Sequence, residues 1–134
     1  MFKMLVLILL LASVCEAHHS VAGVPVRSAK CGWLEGESLR DARNVADFCA
    51  HSVASETRIH SVTSDRERLW IEAPSQFATD VRGGDDAARL RLSVWLQEWR
   101  RITGFRSASV SIVVNHVDVA RAETTMRGDI ILIR

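Results

Sequence analysis

Two adjacent histidines, His18 and His19, follow Cys15-Glu16-Ala17. Cleavage after Ala17 would place the free amine of His18 beside its own ring nitrogen, a nitrogen pair suited to Cu(II). The pattern resembles the histidine brace of secreted copper proteins, which takes a second histidine from the fold, here His51, His60 or His116. Adjacent histidines at a chain terminus are also simply solvated. The first expectation is therefore no cofactor, with copper at His18 as the alternative.

Asp47 and His51 stand four residues apart, the spacing at which a carboxylate can orient an imidazole on one helix face as a general base requires. Glu35 and Glu37 flank Gly36 and offer a carboxylate pair. Either set would suit a small secreted hydrolase. No GxSxG, HExxH or P-loop pattern supplies a nucleophile, a metal or a phosphate cradle. Helical ion pairing and dipole interactions account for the same residues, so catalysis is not the leading expectation.

Arg58, His60, Arg68 and Trp70 form the preferred binding group. They lie on two neighbouring segments of strand composition, and Trp70 alternates out of phase with Leu69 and Ile71. If those two face the core, Trp70 faces away from it beside Arg68. Aromatic and arginine side chains are the anchors that interfaces concentrate. The expected partner is a protein or an envelope component. Formal net charge is +1 over 134 residues, which gives no argument for a nucleic-acid partner.

The compartment follows from the first seventeen residues. Lys3 precedes nine apolar residues, Met4 to Ala12, and Ala17 is a small residue at a cleavage position. Residues 1–17 thus read as a secretory signal peptide. The apolar run is far shorter than the roughly 20 residues a spanning helix needs, so no stable membrane span is expected after cleavage. The mature chain would be extracytoplasmic, secreted or periplasmic. Cys31 and Cys49 are then its only thiols, without CxxC spacing, and a disulfide between them is expected in an oxidising compartment.

The elements that must position these groups follow from periodicity. Residues 18–36 carry three glycines and Pro25 without a sustained period and read as an extended N-terminal arm, anchored at Cys31 and Trp33. Residues 37–134 form a single α+β domain. Ser38 is a candidate N-cap for a helix over 39–53, with Ala42, Val45, Ala46, Cys49 and Val53 on one stripe. Segments 57–62 and 68–73 read as a hairpin about a polar turn, and 74–86 as a long connection. A second helix starts at Asp85 or Asp86, carries Ala88, Leu92, Trp95, Leu96, Trp99 and Ile102 inward, and stops at Gly104. Strands over 108–114, 117–124 and 130–133 follow, and the last, apolar on both faces, reads as interior.

The expected fold is α+β, with two helices packed on one face of an antiparallel sheet of about five strands in the order αββαβββ. In outline this resembles small envelope-binding modules such as the BON domain. It departs from them in lacking their glycine turns and in its tryptophan-rich helix, and no family is assigned. The expected function is a non-catalytic binding or adaptor domain that recognises its partner through the sheet face.

Overall fold

The computed structural model describes residues 23–54 and 58–134. The expected signal peptide, His18 and His19 lie outside the described residues. Seven strands form one sheet in sequence order: β1 (Val26–Ser28), β2 (Gly32–Gly36), β3 (Ser61–Asp65), β4 (Arg68–Glu72), β5 (Ser109–Val114), β6 (Val117–Thr125) and β7 (Gly128–Ile133). Three helices accompany them: α1 (Leu39–Ser52), α2 (Ser75–Arg82) and α3 (Asp86–Thr103).

This corrects the five-stranded antiparallel sheet with two helices in the order αββαβββ. The sheet has seven strands and is mixed, since β2 pairs parallel with β3 and β4 with β5, while the other four pairings are antiparallel. The cause is topological: a helix returning the chain over the sheet brings the next strand in parallel to the last. α1 makes that return between β2 and β3, and α2 with α3 makes it between β4 and β5. The BON outline rested on the earlier order and falls with it.

Both returns run over the same face, because α1 packs against α3 as well as against β2 and β3. β2 and β4 run in opposite directions, yet each return steps the same way along the sheet. The two crossovers therefore have opposite hands, and one departs from the right-handed preference of such connections.

The segment read as an arm is part of the sheet from residue 26 onward. Glycine disguised it. Gly32 has φ +67, and a Cβ there would lie 2.1 Å from the His60 carbonyl oxygen; at Gly36 a Cβ would lie 2.2 Å from the Ala42 amide nitrogen. β2 thus uses glycine to let β3 and α1 approach, at the cost of the side-chain alternation by which a strand is recognised. α2 was hidden for a different reason. It is eight residues long, and its buried stripe is only Phe77, Ala78 and Val81 among polar neighbours.

Where the helix signals were strong, the structure follows them. The Ser38 side chain accepts the Asp41 N–H at 3.1 Å, and the Asp85 carboxylate accepts the Ala88 N–H at 3.0 Å. Gly104 closes α3 in the left-handed conformation at φ 76. Asp41 has a second role: its buried carboxylate accepts the Arg66 N–H at 3.1 Å and so fixes the β3–β4 turn, where Arg66 has φ 59.

The core lies between the helices and one sheet face. Leu69 and Ile71 of β4 stand opposite Val110 and Ile112 of β5, which stand opposite Ala122 and Ala120 of β6. Phe48, Trp95 and Trp99 cover this row from the helical side, edge to face about Phe48. β7 is the terminal strand of the sheet, not the interior strand its four apolar residues suggested. It is tied to α3 by a bidentate Arg100–Asp129 pair. The hydrogen bond that Arg100 donates to the Asp129 carboxylate, with burial opposing it, holds the guanidinium above its ordinary pKa.

Cys31 and Cys49 are disulfide-bonded, with Cα atoms 6.1 Å apart. The bond ties the turn before β2 to the inner face of α1, and both residues are buried. Replacing both cysteines by alanine is expected to cost about 3 kcal/mol through the freed unfolded chain. Chemical denaturation of the two proteins measures the difference, and free thiols titratable in the unreduced protein would contradict the pairing.

Candidate functional site: the open face of the sheet

The strand face opposite the helices is covered by none of the described elements. Its centre is set by register alone. Trp33 of β2 stands opposite Ser61 of β3, which stands opposite Glu72 of β4; in the next row toward the β3–β4 turn, Glu35 stands opposite Thr63, which stands opposite Trp70. Two tryptophans thus occupy one diagonal of a six-residue grid, two carboxylates occupy the other, and two hydroxyls lie between them. From strand spacing and rise, the tryptophan Cα atoms are about 12 Å apart.

Two adjoining hollows follow from this pattern. One, of about 300 Å³, is lined by Pro25, Trp33, Glu35, Ser61 and Thr63. The other, of similar size, shares Ser61 and Thr63 and adds Trp70, Glu72, Val113 and His116. Trp33 is 49% exposed and Trp70 half-buried. Each has an arginine over its ring, Arg27 at 5.6 Å from the Trp33 centroid and Arg68 at 5.4 Å from that of Trp70. Arg68 is also ion-paired with Asp65 at 2.8 Å. The Ser61 hydroxyl donates to Glu72 at 3.1 Å. Beyond Trp70, Arg121 bonds Ser111 at 3.1 Å and Asp118 at 2.7 Å, so that part of the face is occupied by its own charge network.

The four expected binding residues divide into two pairs. Arg68 and Trp70 share the open face and touch each other, as alternation with Leu69 and Ile71 predicts. Arg58 and His60 do not join them. β3 begins at Ser61, not near residue 57, so both lie in the exposed segment that leads into it. The His60 backbone bridges β2 and β4, accepting from the Trp33 N–H and donating to the Glu72 carbonyl, at the far end of β3 from Arg68.

Trp33, Glu35, Ser61, Thr63 and Glu72 are the members of the site that single-segment reasoning missed as a group. Trp33 and Glu35 carried the one available signal, since they alternate with buried Leu34 once residues 32–36 are taken as a strand. Glu37 lies in the turn before α1 and makes no pair with Glu35 on this face. Asp47 and His51 are both exposed on α1.

Copper at His18 falls outside the described residues. Of its expected partners, His51 lies in the last turn of α1, His60 just before β3 and His116 in the β5–β6 turn. Among the described residues no group of three or more histidine, cysteine, aspartate and glutamate side chains could hold a metal ion. Leu90 and Val94 are exposed on the outer side of α3.

Chemically, the face offers aromatic planes, carboxylates and hydroxyls at fixed spacing. In comparison with known proteins, the chain matches no family model, no curated protein and no solved structure.

Proposed function

We propose that this chain is a non-catalytic binding module of an extracytoplasmic compartment, secreted or periplasmic, that captures a protein or envelope component on its open sheet face. One observation carries the reading: two tryptophans stand on a sheet face that no described element covers, held diagonally about a floor of hydroxyls and flanked by carboxylates. Aromatic residues enrich interface anchors because they bury a large area at small conformational cost. The two carboxylates of the grid, Glu35 and Glu72, are acceptors, so the complementary surface presents apolar groups and N–H donors or cations. The Cys31–Cys49 bond supports an oxidising compartment, as does the charged and apolar pattern of residues 1–17.

Site-specific photo-cross-linking maps the face that meets the partner. A photoreactive residue at His116, on the rim of the second hollow, is expected to yield a discrete adduct in the native compartment. The same residue at Arg43, exposed on the outer side of α1, should yield none. Adducts from Arg43 alone, or equally from both positions, would contradict the proposal.

A further inference from the structure

The two hollows of the open face share one composition. Each is bounded by one tryptophan and one carboxylate, Trp33 with Glu35 in the first and Trp70 with Glu72 in the second, and Ser61 and Thr63 line both. Arg27 and Arg68, which stack on the two rings, line neither. An aromatic plane, a carboxylate and a hydroxyl around one space are the groups that bind an organic cation. The ring attracts it through its quadrupole, and the oxygens accept its N–H groups.

The charges of the face are unevenly matched. Asp65 is engaged by Arg68, and Asp118 and Glu123 by Arg121. Among the described residues neither Glu35 nor Glu72 is in an ion pair, and the Ser61 hydroxyl donates to Oε2 of Glu72. A neutral surface laid over these two carboxylates would strip their hydration without replacing it, and burying an unpaired charge is costly. A partner with two cations replaces that hydration.

We infer that the partner is a protein segment presenting two lysine side chains to the open face, one ammonium to each hollow. The inference rests on the reading of this face as the binding surface and names the chemistry of what it binds. Ammonium suits the hollows better than guanidinium. Its three N–H groups diverge, so they can meet a carboxylate oxygen and the hydroxyls while the charge lies against the ring. A guanidinium is planar and pairs best with both oxygens of a carboxylate, and in Glu72 one of these already accepts the Ser61 hydroxyl.

Register sets the spacing of the two cations. Glu35 and Glu72 occupy the second diagonal of the grid, so their Cα atoms are about 12 Å apart, as those of the tryptophans are. In an extended segment, side chains four positions apart lie on one face about 13 Å from each other. Lysines at i and i+4 of such a segment therefore reach both hollows, with residue i+2 above the Ser61 and Thr63 hydroxyls.

Nuclear magnetic resonance of the indole N–H groups tests the inference. Trp33 and Trp70 border the hollows, whereas Trp95 and Trp99 are buried with their N–H groups on the Ser52 and Glu67 carbonyls and serve as internal references. Titration with the blocked peptide Lys-Ser-Val-Ser-Lys should shift the Trp33 and Trp70 signals saturably and leave the other two unmoved. The peptide acetylated on both lysines should shift none. Glu35→Gln combined with Glu72→Gln should weaken binding by about tenfold or more, with the Trp95 and Trp99 signals unchanged. Undiminished binding of the acetylated peptide, or undiminished binding by the glutamine variant, overturns the inference. So does a lysine peptide that moves neither signal at millimolar concentration, or an uncharged oligosaccharide that shifts both where the lysine peptide does not. Failure of the inference is separable from failure of the binding face itself. If the face binds a partner of other chemistry, the His116 photo-adduct survives Glu35→Gln/Glu72→Gln and is lost with Trp33→Ala/Trp70→Ala. If the face binds nothing, neither pair of substitutions alters the adduct, and both readings fall.

Discussion

Replacing Trp99 by alanine is expected to cost about 3–5 kcal/mol, the usual loss for a large buried aromatic. The ring is fully buried, packs edge to face on Phe48 at 6.0 Å between centroids, and lies on the sheet side of α3. Its Nε1–H donates to the Glu67 carbonyl at 2.9 Å, a hydrogen bond to the β3–β4 turn that truncation also removes. Small domains are stable by only about 5–15 kcal/mol, so this one change would remove a large share of the total. His51→Ala, at an exposed position on α1, should alter stability by less than about 0.5 kcal/mol. Urea titration of the two variants measures both effects. Equal and small losses would mean that α3 does not cover the core.

The buried stripe that carries Trp99 is legible from spacing alone. α3 repeats its apolar residues over eighteen positions and is capped at both ends by residues whose roles are local. The β5–β6 hairpin was legible for the same reason: Asn115 and His116 take the positive φ values, 49 and 66, that a tight two-residue turn demands. The disulfide followed from two residues and a compartment. What could not be read locally was pairing. Nothing within residues 32–36 indicates that they lie parallel to β3, because that relation is created by α1 and by the space left at Gly32 and Gly36. The apolar run of β7 suggests burial, yet the strand ends the sheet, because composition reports side chains and not the strand's place in the pairing order.

The site shows the same division. Trp70 and Arg68 share a face because both lie on one strand, where alternation decides the face. Arg58 and His60 were assigned by adjacency to a strand whose start lies later in the chain. Trp33 and Glu35 come next to Trp70 only through the long-range order β2-β3-β4, and a sequence gives no local sign of that order.

The second large effect expected concerns this grid. Trp33→Ala combined with Trp70→Ala should leave the fold nearly unchanged, because both rings lie on the face away from the core and their removal opens no buried cavity. Anchor residues of this kind each contribute about 2 kcal/mol or more to binding. Losing two of them corresponds to an affinity fall on the order of a thousandfold. Arg27 and Arg68, which stack on the two rings, would lose their platforms at the same time.

Whether the open sheet face binds the partner is read from the yield of the His116 photo-adduct with and without the two tryptophans, alongside the thermal midpoint. The Trp33→Ala/Trp70→Ala chain is expected to keep its midpoint and lose the adduct. An adduct retained at full yield by a folded double variant would contradict it.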